Sequence, residues 1–278
     1  MSVSVTSETL SVEVPGGRLA VERWAGPGPT LVLLHAGVVD RRAWTATANR
    51  LAGTYAVVAY DRRGFGESPS GADPFTHVDD LRVVLDGLEV ERVWLVGSSA
   101  GGRVALDAAL TFPERVAGLV LLAPAISGAP DFEADPETDR LAALIDAAVR
   151  SGDLDEANRL EAWLWLDGPA GPEGRVGSPV RDLFLAMNAI ALRSEAESAA
   201  GNGNSDVDAW SRLGEIRVPV TLAWGELDVD VLNQRCQQIV DRLPSATGRE
   251  LPRVAHLPDL EDPDLIADLI RRAVATGG

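Results

Sequence analysis

Three separated segments of the chain carry the residue types of a nucleophilic catalytic site. Ser99 is the central residue of a Gly-x-Ser-x-Gly motif at 97–101, and three histidines are available as a base: His35, His77 and His256. A serine hydroxyl is a weak nucleophile near neutral pH and needs an adjacent base, which in turn needs an orienting acid. The predicted chemistry is therefore attack of the Ser99 hydroxyl on a carbonyl, assisted by a histidine base that a carboxylate orients.

The motif around Ser99 follows a short apolar run at 93–96 and precedes a helical pattern at 102–112. A strand that turns sharply into a helix holds the serine hydroxyl out above the sheet edge. Small neighbours suit such a turn because it crowds backbone against backbone. The alternative is a glycine-rich turn whose serine only caps the helix.

The candidate base and acid lie in two late loops. Asp228 follows a predicted buried strand at 218–224, and His256 follows the last predicted strand. Parallel strands carry their functional loops at their carboxyl ends, so we expect these loops to meet Ser99 at one rim of the sheet. The alternatives are a structural loop histidine at His256 and, at Asp228, one solvated acid beside Glu226 and Asp230.

A reaction through an oxyanion also needs backbone donors. The N–H group that follows the nucleophile, from Ala100, is one expected donor. The loop after the predicted strand at 30–34 should supply the other, with Gly37 as first candidate and Val38 as second, since glycine permits close backbone approach. His35 in the same loop is expected to brace it rather than to compete as a base.

The elements that must position these groups read as alternating strands and helices, which predicts βαβ units and a parallel sheet. The buried strands are predicted at 30–34, 55–60, 93–96, 115–122, 218–224 and 248–251. Two earlier segments, 11–14 and 18–24, alternate apolar and polar residues around a Pro-Gly-Gly turn. That pattern predicts an antiparallel hairpin at an edge of the sheet.

The alternating pattern stops between 128 and 211. No strand pattern occurs there, and helices are predicted at 137–150, 154–166 and 180–198, separated by segments rich in proline or glycine. An excursion of this length is typical of a lid or binding element. We therefore expect a core of 1–127 and 212–278 with a helical cap at 128–211.

Large apolar side chains in the predicted cap are candidates for the wall of a substrate pocket. They are Trp163, Trp165, Phe184 and Met187, with His35 at the rim of the core. If they line the pocket, the substrate has an apolar acyl or aryl part. The alternative is that they form the cap's own core, as large apolar residues more often do.

Composition limits the partners. The 278 residues are 46% hydrophobic with a net charge of −17, which argues against nucleic acid or an anionic membrane as partner. Cys236 is the single cysteine, so an internal disulfide is impossible, and we expect it to be buried in a helix. No secretory signal is evident at 1–6. We expect a cytoplasmic monomer or homodimer with a small-molecule substrate, no metal and no cofactor.

Taken together, the motifs resemble the α/β-hydrolase superfamily. They are His35-Ala36-Gly37 with Trp44, the Asp-x-Arg-Gly-x-Gly-x-Ser-like stretch at 61–68, the motif at 97–102, Asp228, and His256-Leu257-Pro258. The order Ser, Asp, His along the chain is the triad order of that superfamily. The resemblance implies an eight-stranded, mostly parallel sheet flanked by helices, with an antiparallel second strand and a cap inserted after strand six. The commoner pattern has glycine at Ala36, and the stretch at 61–68 is expected to be a structural turn.

The resemblance also narrows the reaction. Haloalkane dehalogenases and epoxide hydrolases carry aspartate at the position of Ser99, so alkylation of a carboxylate is not expected here. We expect a serine hydrolase that cleaves a small ester, lactone or thioester through an acyl-enzyme. Two alternatives stay open on the same residues. One is a C–C bond hydrolase or a biosynthetic cyclase or acyl transferase. The other is a slow ligand-binding protein with the hydrolase fold.

Overall fold

A single eight-stranded sheet runs through the computed structural model, which describes residues 6–71, 73–131, 133–197 and 203–277. The strands are β1 (Ser7–Val14), β2 (Gly17–Trp24), β3 (Gly28–Leu34), β4 (Tyr55–Tyr60), β5 (Val93–Ser98), β6 (Val116–Leu122), β7 (Val220–Gly225) and β8 (Ala246–Leu251). Their order across the sheet is β1-β2-β4-β3-β5-β6-β7-β8. The predicted α/β class and eight-stranded sheet are confirmed.

Two strand pairings are antiparallel, and both involve β2. It pairs with β1 on one side and with β4 on the other, whereas the pairs from β4 through β8 are parallel. The predicted edge hairpin is therefore correct. Its first strand begins at Ser7, four residues earlier than the alternation indicated.

Helices cover both faces of the sheet. They are α1 (Thr45–Leu51), α2 (His77–Gly87), α3 (Ala100–Thr111), α4 (Pro136–Ser151), α5 (Leu154–Glu161), α6 (Val180–Glu197), α7 (Ala209–Arg212), α8 (Asp230–Arg242), α9 (Pro258–Glu261) and α10 (Pro263–Gly277). The α2, α3 and α8 helices pack on one face, and α1 and α10 pack on the other. No helix among the described residues combines the length and the apolar character needed to cross a bilayer.

Alternate residues of each central strand supply these two cores. In β3, Val32 and Leu34 join the cluster under α2 and α3, while Leu31 and Leu33 join the cluster under α1 and α10. All four are buried. Burial on both faces explains why the central strands are continuous apolar runs rather than alternating ones.

Between β6 and β7 the chain leaves the sheet and forms α4, α5 and α6. The helix predicted at 154–166 is wrong in its second half, because the α-helix ends at Glu161 and a π-helical turn follows over Ala162–Asp167. Asp167 fixes the end of that turn by accepting hydrogen bonds from the Gly174 and Val176 amides. The helix predicted at 180–198 is observed to Glu197, and Ser198 lies outside the described residues.

Three local features lie toward the C-terminal end of the chain. Cys236 is buried in α8, as predicted. Asp262 caps α10, since its Oδ1 accepts a hydrogen bond of 3.0 Å from the Leu265 amide. The one-turn helix α9, directly after His256, has no counterpart in the sequence-based prediction because four residues are too few to show a period.

Candidate active site

Ser99 occupies the sharp turn between β5 and α3 with a φ of +49°, a conformation that is rare for a residue with a side chain. Its amide donates to the Leu122 carbonyl at 2.8 Å, and its carbonyl accepts from the Gly102 amide at 2.8 Å. A side chain at Gly101 would overlap the Leu34 carbonyl oxygen. The glycine is therefore needed for α3 to approach β3, and the turn is held by backbone contacts on both sides.

His256 and Asp228 form a buried pair. The Nδ1 atom of His256 lies 2.7 Å from Asp228 Oδ2, and both side chains are almost entirely removed from solvent. The second carboxylate oxygen of Asp228 accepts from the Val229 amide at 2.7 Å. The Asp228 contact assigns the imidazole proton to Nδ1, which leaves the Nε2 lone pair as the proton acceptor.

The loops that carry these two residues are joined by their backbones. The Leu227 amide donates to the Val254 carbonyl at 3.0 Å, and the Glu226 amide donates to the Leu251 carbonyl at 2.8 Å. Gly225 ends β7 where any side chain would overlap the Ala255 carbonyl. The close approach at this glycine brings the Asp228 loop against the His256 loop.

Ser99 and His256 line one cavity of about 540 Å³, which we call the Ser99–His256 cavity. Its wall is mostly apolar, with Asp131 and Arg235 as its charged members. The remaining lining residues are Ala123, Pro124, Ala125, Ile126, Ala129, Pro130, Trp165 and Leu232. The structure therefore brings the predicted nucleophile and base to a shared space beside an apolar surface.

Trp165 is the member of the helical segment that faces this site. Its ring centroid lies 4.8 Å from that of His256, with the two planes tilted by 45°. The residue sits within the π-helical turn Ala162–Asp167, a type of turn that is frequent at functional sites. Of the four apolar cap candidates, Trp165 borders the cavity.

A second cavity, of about 420 Å³, is lined by Gly37 and Ala100, and we call it the Gly37–Ala100 cavity. A Cβ atom placed on Gly37 would lie 3.7 Å from that of Ala100, so the oxyanion-loop candidate and the start of α3 are adjacent. As the first residue of α3, Ala100 has an N–H group without an intrahelical partner. Val38 is half-buried and packs with the apolar residues around Val39.

His35 is fully buried and serves the loop, not a pocket. Its Nδ1 donates to the Ala36 carbonyl at 2.7 Å, and its Nε2 accepts from the Arg62 amide at 3.0 Å. Burial first, and the Arg62 guanidinium second, lower the pKa of His35 well below its usual value. A neutral ring with both nitrogens engaged holds the loop that follows β3, and His35 lines neither of the two cavities, so its expected place at the pocket rim is wrong.

Three further pocket candidates are packing residues instead. Phe184 and Met187 are buried in a cluster with Ala36, Leu257 and Leu260, which fixes α6 against the loops of the core. Trp163 packs on the neighbouring cluster around Leu141 and Leu160, and its indole N–H donates to the Gly171 carbonyl at 3.0 Å. Large apolar side chains at the join of two layers bury more surface there than in an open cavity.

His77, the third histidine available as a base, was not predicted to lie at a cavity. It is 4% exposed and lines the Gly37–Ala100 cavity, where its ring lies 5.2 Å from that of Phe75. The signal that could have revealed it is its position at the first turn of α2, an amphipathic helix whose apolar face is buried.

The stretch at 61–68 forms a partly buried turn against the loop that follows β3. Arg62 donates to the carbonyls of His35 and Ala36 at 3.2 and 3.1 Å. Asp61 is ion-paired with Arg41, and burial raises the pKa of Asp61 to about 6. These contacts hold backbone in place. Among the described residues no group of three or more histidine, cysteine or acidic side chains has the arrangement of a metal site.

Residues 31–269 match the alpha/beta hydrolase family. The match covers most of the chain and includes the turn at Ser99 and the loops that carry Asp228 and His256. The chain therefore belongs to the alpha/beta hydrolase family, and the predicted family is confirmed.

Curated relatives cover nearly the full chain at low identity. A Bacillus subtilis (strain 168) protein provisionally named as a 2-succinyl-6-hydroxy-2,4-cyclohexadiene-1-carboxylate synthase is 31% identical over 94% of this chain and 97% of its own. A pimeloyl-[acyl-carrier protein] methyl ester esterase of Aeromonas hydrophila is 28% identical over 92% and 99%. A 2-hydroxy-6-oxononadienedioate/2-hydroxy-6-oxononatrienedioate hydrolase of Cupriavidus pinatubonensis is 30% identical over 82% and 80%.

Among solved structures, the N-acyl homoserine lactone degrading enzyme Est816 superposes with a TM-score of 0.72 at 25% identity. The superposition covers 95% of this chain and 99% of Est816. Esterases, lactone-degrading enzymes and other hydrolases thus share this fold along its length. The coarse class that these similarities support is a hydrolase acting on a small molecule.

Proposed function

We propose that this chain is a serine hydrolase that cleaves a small ester, lactone or thioester through an acyl-enzyme on Ser99. The observation that carries the proposal is the buried His256–Asp228 pair, at 2.7 Å, beside a cavity whose wall includes Ser99. A base that is already oriented by a carboxylate, and a serine on a constrained turn next to it, are the two requirements of nucleophilic catalysis.

In the proposed mechanism His256 acts first as a base and then as an acid. Its Nε2 takes the proton of the Ser99 hydroxyl while the oxygen attacks the substrate carbonyl, and the same proton then passes to the leaving group. Asp228 holds the ring in the Nδ1–H form and stabilises the imidazolium. Water attacks the acyl-enzyme in the second half, with His256 again as base, and regenerates the free serine.

The oxyanion is proposed to bind at the start of α3. The N–H groups of Ala100 and Gly37 are the donors, with Val38 as the alternative to Gly37. The helix dipole adds favourable charge there, because the amino end of a helix attracts anions. Donors fixed by backbone need no reorganisation as the charge develops, which is why such groups contribute strongly to rate.

We also propose that residues 128–211 act as a cap over a core made of 1–127 and 212–278. Trp165 is the cap residue that meets His256, and the Ser99–His256 cavity is largely apolar. Apolar walls favour an apolar acyl or aryl part on one side of the scissile bond. The Gly37–Ala100 cavity, with Ser70, His77 and Ser194 on its wall, accommodates a more polar part.

A second candidate reaction is cleavage of a carbon–carbon bond next to a ketone. The Cupriavidus relative is named for hydrolysis of a 2-hydroxy-6-oxo dienedioate, a compound with no ester, so its hydrolysis breaks a carbon–carbon bond. The same serine, base and oxyanion donors suit either reaction, and the fold does not choose between them. Product analysis by mass spectrometry with a panel of esters and 2-hydroxy-6-oxo dienoates separates the two.

The proposal is tested by hydrolysis of p-nitrophenyl acetate and p-nitrophenyl butyrate by the wild type and two variants. Ser99→Ala and His256→Ala should each lower kcat by about 10⁴-fold or more. Ser211→Ala is the control, because that hydroxyl is exposed on α7. Equal rates for Ser99→Ala and the wild type would refute the proposed role of Ser99.

A further inference from the structure

Two donors hold the Ala36 carbonyl in the loop that follows β3. The guanidinium of Arg62 donates to it through Nη2 at 3.1 Å, and the Nδ1–H of His35 donates to it at 2.7 Å. The His35 ring is held in turn, because its Nε2 accepts from the Arg62 amide at 3.0 Å. All three residues are buried. Both lone pairs of the carbonyl are therefore engaged, which fixes the orientation of its peptide plane.

That carbonyl belongs to the same peptide group as the Gly37 N–H, one of the proposed oxyanion donors. The peptide is trans, so its C=O and N–H bonds point in opposite directions and fixing the first fixes the second. The Gly37 amide donates to no described residue, and Gly37 lines the Gly37–Ala100 cavity. The carbonyl of the next peptide, between Gly37 and Val38, accepts no hydrogen bond within the described ranges. The held peptide therefore favours Gly37 over Val38 as the donor.

Arg62 brings a positive charge to this peptide. On the same turn Arg63 pairs with Asp80 at 2.7 Å. Arg62, by contrast, pairs with no carboxylate in the part of the chain that the structure describes, and its guanidinium donates to backbone carbonyls instead. Burial lowers the pKa of Arg62 to about 10, so the group is still cationic at neutral pH. A buried cation without an anionic partner is costly, which indicates that the charge has a use at this place.

Phe65 packs against both of the donors. The Cζ atom of Arg62 lies 4.6 Å from the centroid of the Phe65 ring, and the His35 ring meets the same ring edge to face with the centroids 4.9 Å apart. The face of an aromatic ring attracts a guanidinium. The aromatic contact thus keeps the guanidinium at the Ala36 carbonyl without neutralising its charge.

We propose that Arg62 is a positioning residue of the reaction: through the Ala36 carbonyl it orients the Gly37 N–H toward the oxyanion and makes it a stronger donor. A cation bound to the oxygen of a peptide draws electrons from its nitrogen, and hydrogen bonds in a chain strengthen one another. The gain is largest where negative charge develops, in the transition state rather than in the bound substrate. This inference rests on the proposed function, since it needs the oxyanion that forms when Ser99 attacks.

Two variants of Arg62 test this role. Arg62→Met keeps aliphatic packing and removes the charge and the donor, while Arg62→Lys keeps a cationic donor on a long side chain. The control is Arg23→Met, which removes an exposed arginine from β2. Each protein is measured for kcat and KM with p-nitrophenyl acetate and for Ki with an alkyl trifluoromethyl ketone. A serine adds to such a ketone to give a tetrahedral adduct with a negative oxygen, so Ki reports oxyanion binding.

For Arg62→Met we expect kcat to fall about 30-fold with KM within about twofold, and Ki for the ketone to rise by a similar factor. Loss of a whole oxyanion donor costs about 10²- to 10³-fold, and here the donor is weakened rather than removed. Arg62→Lys should recover at least about fivefold of the loss, and Arg23→Met should stay within about twofold of the wild type. A folded Arg62→Met with the wild-type Ki overturns the proposal whatever its kcat, because a smaller active fraction lowers the rate without changing Ki.

An NMR comparison on the wild type keeps the inference testable if Arg62→Met does not fold. The amide proton signals of Gly37 and Val38 are recorded in the free protein and in the ketone adduct. We expect the larger shift to low field at Gly37, because its N–H gains a charged acceptor. A larger shift at Val38 overturns the proposal. Failure of the proposed function is distinguishable, since the wild type would then show no Ser99-dependent turnover and form no adduct, whereas failure of this inference leaves both intact.

Discussion

The guanidinium of Arg175 lies 2.6 Å from Glu261 Oε2, and this ion pair joins the helical segment to the loop that carries His256. The same guanidinium donates to the Leu166 and Asp167 carbonyls, both at 2.7 Å, at the end of the π-helical turn that carries Trp165. Glu261 Oε1 accepts from the Ala255 amide at 2.7 Å. Trp165 and His256 therefore owe their relative position in part to one arginine.

Replacement of Arg175 by methionine should loosen that arrangement. We expect kcat/KM for p-nitrophenyl butyrate to fall about tenfold, because a partly buried ion pair is lost and the Trp165–His256 contact becomes variable. Arg150→Met is the control, since Arg150 is exposed at the end of α4. Steady-state kinetics check this, and equal values for the two variants would show that the bridge has no role in the reaction.

Trp163 and Trp165 form a natural pair for testing which cap residues meet substrate. Trp165→Ala should change the ratio of kcat/KM for the butyrate and acetate esters at least about fivefold, because it removes cavity wall. Trp163→Ala should leave the ratio unchanged and lower the free energy of unfolding by about 2 kcal/mol through lost packing. If Trp163→Ala changed the ratio in steady-state kinetics, and Trp165→Ala only lowered the free energy of unfolding in urea, the roles assigned to the two rings would have to be exchanged.

The stability of the fold should depend on pH through Asp259. Burial raises the pKa of its folded form to about 6, above that of an unfolded chain. The group therefore adds stability at low pH, and this contribution is lost as the pH rises through about 4 to 6. The unfolding free energy of Asp259→Asn minus that of the wild type should therefore increase by on the order of 2 kcal/mol as the pH rises through that window.

Urea unfolding at several pH values measures this gain. The Glu250→Gln variant serves as the control, because Glu250 is an exposed carboxyl on β8. A constant difference between Asp259→Asn and the wild type over the whole window would mean that the carboxyl is not desolvated as the structure indicates.

The proposed role of Asp228 can be tested by comparison with Asp230, an aspartate two positions further along the chain. Asp228→Asn should lower kcat by about 10⁴-fold with the protein still folded, because an amide in place of the carboxylate no longer favours the Nδ1–H form of His256. Asp230→Asn, two positions away at the exposed start of α8, should stay within about twofold of the wild type. Comparable losses in both variants would remove Asp228 from its proposed role.

Much of this site could be predicted from the sequence because its residues occupy ends of regular elements. The strand before Ser99 is an uninterrupted apolar run, and glycines mark both the turn after it and the end of β7. Parallel topology then brings loops from distant parts of the chain to one rim. Element type, motif and chain order were enough to predict loops after β5, β7 and β8 for Ser99, Asp228 and His256, and the structure brings Ser99 and His256 to one cavity with Asp228 bound to His256.

Packing between the helical segment and the core could not be predicted in the same way. Phe184 and Met187 could line a pocket or, as large apolar side chains more often do, form a core, and their burial against Ala36 depends on how α6 lies over the loop that follows β3. The π-helical turn that presents Trp165 could not be predicted either, because its residue types are also compatible with an ordinary helix. The contacts of Asp259 and Glu261 likewise depend on distant segments that no local pattern reveals.

The most direct test of the account is to identify the residue that is acylated during turnover. Rapid mixing of the wild type with p-nitrophenyl acetate should release one equivalent of p-nitrophenolate in a burst, and mass spectrometry of the acid-quenched protein should find the acetyl group on Ser99. His256→Ala should abolish the burst. An acetyl group on any other residue during turnover, or a full burst from Ser99→Ala, would contradict it.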